Sequence, residues 1–330
     1  MEFRQLKYFV RIVELSSFSK AAQDLFIAQP ALSNQISNLE KELDTQLLSR
    51  SVRGVTPTEA GKTLYRHAQA IIRQIEHLKY EVENESANPK GSVSIGIPTS
   101  VSNVLASPLI AATQERYPEI KLKIVESLSG HLEELVSTGR IEMSLLFESP
   151  LLTLEKGGKA SGFSLDKIPI LEEELFLQTT APILNKKTIS LAAAAKLKFI
   201  LPAKSNATRQ MIDSAFTKAG VNPKVITELD SLSTIQTLVE DGLGATILSL
   251  SAFIGNQKNL KSHAYSIKNA ELKRTISLCT TNTIALSTAA QCIANLVPEI
   301  AHNLVKSGRW AGSKIISSSK WLCNWDIPII

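Results

Sequence analysis

The feature that most constrains the fold of this chain lies at residues 18–61, where two short helical patterns follow one another across a brief interruption. Ser19 is predicted to cap the first helix, because its hydroxyl can accept from the free N–H groups of a first turn. After the interruption, Pro30 falls in a first helical turn, where the N–H that proline lacks would have no partner. Apolar residues then recur at helical spacing: Leu32, Ile36, Leu39 and Leu43. This order predicts a helix-turn-helix whose second helix covers residues 29–43.

The face of this second helix opposite the apolar stripe is short and polar. Its members are Gln29, Pro30, Ser33, Asn34, Ser37, Asn38 and Lys41. Small donors and acceptors of this kind reach base edges and phosphates, and the N–H groups of a helix N-terminus add a phosphate contact. A solvated helix face is the alternative. The segment that follows favours DNA binding, because Arg53 and Gly54 suit the tip of a small wing that contacts the minor groove or a phosphate.

A long helix is predicted from residue 59 to residue 88, where Pro89 and Gly91 end it. Its apolar residues recur at steps of three and four: Ala60, Leu64, Ala68, Ile71, Ile75, Leu78 and Val82. This near-heptad spacing indicates a coiled-coil partner. The alternative is a helix that lies on its own domain. Dimerisation is expected, because a small DNA-binding head usually needs a second head to gain affinity.

After residue 89 strands and helices alternate, which predicts parallel sheets with crossover helices. We expect two lobes, one of residues 89–165 and 269–308 and the other of residues 166–268, with a ligand cleft between them. Candidate lining groups follow strand ends: Thr99, Ser100, Ser129, the segment from Pro202 to Arg209, and Thr246. Hydroxyls and helix N-termini favour a carboxylate or another small anion. Ser100 and Ser129 acting only as helix caps is the alternative.

Composition and charge restrict the remaining function classes. The net charge is +5, yet residues 1–88 hold 11 Lys or Arg and 11 Asp or Glu, so charge alone does not locate the DNA-binding end. Three widely spaced cysteines argue against a disulfide framework and for a reducing cytosol. No signal peptide or membrane-spanning stretch is predicted, and an exported solute-binding protein would need that signal.

Catalytic and metal motifs are also missing from the sequence. The five histidines are scattered, and no nucleophile elbow, P-loop or dinucleotide fingerprint is present. Two SxxK matches, beginning at Ser17 and Ser317, are interpreted as chance. We therefore expect no enzyme activity, no metal and no cofactor.

The segment from Phe3 to Gly61 resembles the N-terminal domain of LysR-type bacterial transcriptional regulators, and residues 90–306 are consistent with the same family. The phrases KYFV, AQPALS and RGVTPTEAG are also similar to its nitrogen-assimilation-control branch. The resemblance implies a winged helix-turn-helix at 1–58, a linker helix at 59–88, a two-lobed effector domain at 89–308 like periplasmic binding proteins, and frequently a tetramer.

The resemblance also carries over the contact positions of the family. Its DNA-contacting positions fall on Gln29, Pro30, Ser33, Asn34 and Arg53. Its effector positions fall on Thr99, Ser100, Ser129, Pro202, Asn206 and Thr246. The family commonly has a longer residue where Asn34 stands, so a base contact there is expected to be shorter or directed at adenine.

The sequence thus predicts a cytoplasmic α/β multidomain regulator that binds specific double-stranded DNA and responds to a small anionic effector. Expected partners are operator DNA, the effector, further copies in a homodimer or homotetramer, and RNA polymerase, with no membrane. A constitutive regulator of the same fold is the alternative. Residues 309–330, which hold all three tryptophans, extend beyond the usual family end. They are compatible with a docking tail, a disordered extension or an altered reading frame.

Overall fold

The structure is a computed structural model that describes residues 1–51, 54–83, 89–148, 165–182, 188–253, 263–268, 272–282 and 285–316. It divides into two compact units. Unit 1 contains residues 1–87 with 138–140, and unit 2 contains residues 88–137 and 141–330. In the described part of the chain, no helix is long and apolar enough to cross a membrane.

Unit 1 is a three-helix core with a two-stranded wing. The helices are α1 (Phe3–Leu15), α2 (Phe18–Asp24) and α3 (Gln29–Glu42). The wing pairs β1 (Leu48–Ser51) antiparallel with β2 (Gly54–Pro57). Its core includes Phe9, Ile12, Leu32, Ile36 and Leu39, which are all fully buried, and the last three are residues that the helical spacing of α3 predicts. The predicted winged helix-turn-helix is confirmed.

The turns of unit 1 show one error in the predicted capping. Helix α2 begins at Phe18, and Ser17 caps it by accepting from the Lys20 N–H at 3.3 Å. The prediction of Ser19 as the cap is wrong, because the helix starts before that residue. The Ser19 hydroxyl instead donates to the Gln29 side chain at 3.1 Å, which joins α2 to the start of α3.

The long helix α4 (Glu59–Glu83) has a stripe that divides into two parts. Ala68 is fully buried against α1, so this part of the stripe lies on its own domain. Ile71 and Leu78, farther along, are 41% and 57% exposed. The side chain of Val82 and residues 84–88 lie outside the described part of the helix.

The first lobe of unit 2 is built on parallel strands with crossover helices. The chain runs through β3 (Gly91–Pro98), α5 (Thr99–Arg116), β4 (Ile120–Ser127), α6 (Ser129–Ser137) and β5 (Met143–Glu148). Strand β3 lies between β4 and β5 and is parallel to both. The late helix α10 (Thr288–Lys306) packs into the same core as β3 and α5. Val93, Ile95 and Ile97 are fully buried there.

The second lobe follows strand β6 (Leu165–Thr179). Its elements are β7 (Thr188–Ser190), α7 (Leu191–Ala194), β8 (Lys198–Leu201), α8 (Ala207–Lys218), β9 (Lys224–Glu228), α9 (Leu232–Glu240), β10 (Thr246–Ser249) and β11 (His263–Lys268). Strands β8 and β9 are parallel, whereas β10 and β11 are antiparallel to β6.

Two long strands connect the lobes. Strand β6 pairs along its first part with β12 (Lys273–Thr281) and along its last part with β10 and β11. Leu171 packs in the first core and Leu175 in the second, so the chain crosses between these residues. The lobe boundary expected at residue 165 lies before this crossing, because the alternation of elements does not show where a continuous strand changes lobes.

The C-terminal segment is part of unit 2 as far as residue 316. Trp310 is 2% exposed and packs in the first core. Strand β13 (Ser313–Ile315) pairs antiparallel with β6. The expected tail therefore includes a buried anchor and a short strand, and residues 317–330 lie outside the described part.

Candidate DNA interface and effector site

The N-terminal half of α3 presents the predicted DNA-contacting residues on one face. Gln29, Pro30 and Asn34 are exposed, and Ser33 is half-buried. Helix α3 begins at Gln29 with Pro30 in its first turn, as the sequence predicts. Its N-cap position is Ala28, which makes no side-chain hydrogen bond, so the free N–H groups of the first turn remain open to a phosphate.

The structure adds Arg50, which the sequence does not predict as a DNA contact. Its guanidinium lies 4.3 Å from the ring centre of Phe18, and its Nη2 donates to the Ser33 hydroxyl at 3.2 Å. An exposed cation is therefore held beside the polar face of α3. The contact joins residues 17 positions apart on a strand and a helix, so helical spacing does not reveal it.

The wing requires a glycine at position 54, where β2 begins. Gly54 has φ +122°, and a Cβ built there would lie 2.8 Å from the Ser16 carbonyl oxygen. The same carbonyl accepts from the Val55 N–H at 3.0 Å, which anchors the wing to the end of α1. The predicted contact residue Arg53 lies outside the described residues.

The first-lobe effector candidates meet at one sheet edge. Parallel strands β3 and β4 are in register from Gly91 and Ile120 to Pro98 and Ser127, so α5 and α6 both begin at the carboxyl ends of neighbouring strands. Thr99 and Ser129 are the first residues of these helices. The Ser129 hydroxyl is buried and has no hydrogen-bond partner. Pro98 is the N-cap of α5, so Ser100 is not the N-cap.

The second-lobe candidates serve different purposes. Asn206 is the N-cap of α8 and accepts from the Thr208 N–H at 2.9 Å. The Pro202 carbonyl accepts from Arg209 Nη1 at 2.9 Å. Burial opposes the charge of Arg209, but hydrogen bonds to Asp213 and Glu228 raise its pKa overall. These polar groups are thus already engaged within the second lobe.

Thr246 differs from the other second-lobe candidates. It begins β10, is fully buried, and its hydroxyl has no hydrogen-bond partner. It stands three positions from Ser249, so the two side chains leave opposite faces of the strand. Thr246 is therefore separated from the cluster around Ser249.

That cluster is a buried ion pair between Glu173 and Arg274. The carboxylate accepts from Arg274 Nη2 at 2.6 Å and from Nε at 3.0 Å. Arg274 also donates to Thr208 at 2.8 Å and to Ser100 and Ser249 at 3.2 Å. Of this group, the sequence predicts Ser100 by name as an effector-site residue and Thr208 only as part of the segment from Pro202 to Arg209. Because Arg274 donates to it, the Ser100 hydroxyl keeps its own hydrogen for donation to another acceptor.

Unit 2 places several polar groups together where its two lobes meet. Among the described residues, no group of three or more His, Cys, Asp or Glu is placed to hold a metal ion. The described polar groups at the lobe junction include hydroxyls, helix N-termini and the Glu173–Arg274 ion pair. Such groups bind and orient small polar molecules.

A winged helix-turn-helix followed by a two-lobed α/β domain defines a class of DNA-binding transcriptional regulators with an effector-binding domain. Residues 3–62 match the family described as bacterial regulatory helix-turn-helix protein, lysR family, and residues 86–300 match the LysR substrate binding domain. The chain belongs to the LysR family of regulators. Modulation by an effector is typical of that family.

Two curated relatives resemble the chain over most of its length. It is 34% identical to the nitrogen assimilation regulatory protein nac of Escherichia coli over 94% of this chain and 98% of that one. It is 38% identical to the Klebsiella aerogenes protein of the same name over 76% and 79%.

Two solved structures share the fold at lower identity. A full-length variant of OxyR from Pseudomonas aeruginosa has a TM-score of 0.69 at 19% identity, covering 91% of this chain and 94% of that one. CbnR complexed with its target DNA has a TM-score of 0.65 at 19% identity, covering 91% and 100%.

Proposed function

We propose that the chain binds a specific operator through α3 and the wing, using Gln29, Pro30, Ser33, Asn34 and Arg53, with Arg50 as an additional cation. The observation that carries this proposal is the exposed polar face at the uncapped start of α3. Short polar groups there suit base edges in the major groove. The arginines supply contacts to phosphates or to the minor groove.

Two or four copies assemble on the operator in this proposal. The exposed Ile71 and Leu78 support pairing through the later part of α4, because apolar residues at this spacing suit a second helix. Residues 1–58 then form the head, 59–88 the dimerisation segment, and the remainder the effector domain. We place this non-enzymatic regulator in the cytoplasm with the bacterial DNA, where an activating role would add contact with RNA polymerase.

A small anion is the effector that the cleft suits best. Helices α5 and α6 both begin at the carboxyl edge of the first-lobe sheet, where their N-termini place partial positive charge. The buried Ser129 hydroxyl lacks a partner there, and a ligand oxygen would satisfy it. Thr99 and Thr246 are the further candidates. Asn206 and Pro202 contribute indirectly, because Asn206 caps α8 and the Pro202 carbonyl holds the Arg209 side chain.

Gel shifts over a salt series test the DNA proposal, with an operator selected from a random library and an unrelated duplex for comparison. Ser33→Ala is expected to lower the ratio of operator to unrelated affinity. Arg53→Ala is expected to weaken binding to both duplexes and to reduce the salt slope by about one charge.

Arg116→Ala is the matched charge control, because Arg116 is an exposed arginine of unit 2 that pairs with Glu299. It is expected to behave as wild type. Operator affinity unchanged in both Ser33→Ala and Arg53→Ala would contradict the proposed interface.

Thermal unfolding of the full chain tests the effector proposal against a panel of small carboxylates, phosphate and sulfate, with amines and neutral amides for comparison. An anion at about 100 times its Kd should stabilise unit 2 by about 2.7 kcal/mol. Ser129→Ala should reduce this effect. Ser307→Ala, which removes a hydroxyl from the end of α10, is the control. Stabilisation by none of the anions would favour the constitutive regulator instead.

A further inference from the structure

Glu173 and Arg274 lie at the junction of the two lobes. They are directly opposite one another on β6 and β12, the strands that connect the lobes. Both are almost completely buried, at 0% and 3% exposure. Their position differs from that of an ordinary surface ion pair, because it coincides with the point where the chain crosses between two cores.

Arg274 reaches a helix start in each lobe. Its Nη2 donates to Ser100, the second residue of α5 in the first lobe. Its Nη1 donates to Thr208, the second residue of α8 in the second lobe. Phe147, at the end of β5 in the first lobe, stacks with its ring centre 3.4 Å from the guanidinium carbon. One planar side chain thus bonds to both lobes, which the fork of donors in arginine permits.

Glu173 has two further hydrogen-bond partners besides Arg274. Its Oε1 accepts from the Ser251 hydroxyl at 2.6 Å and from Trp310 Nε1 at 3.1 Å. The carboxylate therefore has partners for both oxygens and holds the guanidinium in one place. A buried ion pair adds little net stability compared with apolar side chains of similar size. Its position is better explained by a geometric role than by stability alone.

Arg209 provides a comparison within the same unit. It is equally buried at 3% exposure, yet its partners Asp213, Glu228 and the Pro202 carbonyl all belong to the second lobe. Arg209 ties one lobe internally, whereas Arg274 ties two lobes together. The two arginines therefore separate the effect of burying a cation from the effect of bridging the cleft.

We propose that Arg274, held by Glu173, is an inter-lobe lock that sets the arrangement of the lobes at the cleft before an effector binds. In this arrangement the Arg274 side chain joins the start of α5 to the start of α8. Any opening of the lobes must break the bonds to Ser100 or Thr208. The proposal depends on the two-lobed fold and not on the nature of the effector, so an effector screen without hits would leave it standing.

Hydrogen exchange of the full chain, followed by mass spectrometry without effector, tests the lock. Arg274→Met is expected to speed exchange at least about tenfold, equal to 1.4 kcal/mol, in both residues 99–109 and residues 207–216. Arg274→Lys should act similarly, because one ammonium cannot reproduce the fork. Arg209→Met should affect residues 207–216 alone.

The double variant Glu173→Leu with Arg274→Met separates the lock from general stability. Apolar replacement of both partners should restore most of the unfolding temperature lost in Arg274→Met. Exchange in both segments should nevertheless remain fast. Exchange that returns to the wild-type rate in the double variant, or that changes in only one lobe in Arg274→Met, would overturn the proposal.

Discussion

The uncapped start of α3 allows a stabilising substitution to be calculated. Ala28 occupies the N-cap with φ −69° and ψ 133°, the extended geometry in which a serine side chain can cap a helix. Pro30 has no N–H, so the Ala31 N–H is the group that a serine oxygen at position 28 would accept from. Ala28→Ser is therefore expected to stabilise unit 1.

The expected gain is about 1 kcal/mol, the typical difference between serine and alanine at an N-cap. For a domain of about 60–100 residues this corresponds to a rise of about 4–8 °C in Tm. Far-ultraviolet circular dichroism follows the helices of both units, so the gain is measured as a shift in the thermal transition that tryptophan fluorescence does not report. Residues 1–87 contain no tryptophan and the buried Trp310 packs in unit 2, so tryptophan fluorescence follows the other unit separately.

Ala31→Ser is the matched control for this substitution. It adds the same hydroxyl to an exposed position of α3, inside the first turn, where serine is a poorer helix former than alanine by about 0.5 kcal/mol. It should lower the Tm slightly. If Ala28→Ser is no more stable than Ala31→Ser, the capping explanation is refuted.

Three other outcomes are expected. Gly61→Ala should destabilise unit 1 by about 1–3 kcal/mol or more, because its Cβ would lie 1.9 Å from a backbone oxygen. Gly130→Ala is the control, since nothing lies within 4 Å of a Cβ there, and thermal unfolding should show no loss of stability. A hydrogen bond from Arg116 lowers the pKa of Glu299. Glu299→Gln should therefore be less stable than wild type above about pH 5, by less than about 1 kcal/mol. This difference in stability should vanish as acid protonates the wild-type carboxylate. A difference that thermal scans find constant with pH would contradict this. Burial raises the pKa of the Cys279 thiol to about 12, so mass spectrometry should find it alkylated at pH 8 only after unfolding, and rapid labelling of the folded protein would disagree.

Local patterns were sufficient for much of unit 1. Helical spacing located the buried Leu32, Ile36 and Leu39, and the first-turn proline marked the start of α3. These features depend on hydrogen bonds and side-chain contacts within a few residues. The capping of α2 was misplaced by two positions, because Ser17 and Ser19 are chemically equivalent and only the backbone selects between them.

Only the tertiary structure shows which apolar residues of α4 are buried within unit 1 and which are exposed. A near-heptad pattern is satisfied equally by packing on the same domain or on another chain. Ala68 is buried against α1, whereas Ile71 and Leu78 remain exposed. The same-domain alternative therefore applies to the first part of the helix, and the later part keeps an apolar surface that suits a second chain.

The sequence by itself determined the order of helices and strands and the polar face of α3, because the periodicity of a helix or a strand depends only on residues close together in the sequence. The tertiary structure alone decided that Arg50 meets Ser33 and that Arg274, 101 positions from Glu173, pairs with it between two helix starts. Such contacts depend on strand order and on the crossing of β6 and β12. The periodicity of single helices and strands does not predict which distant residues a sheet brings into contact.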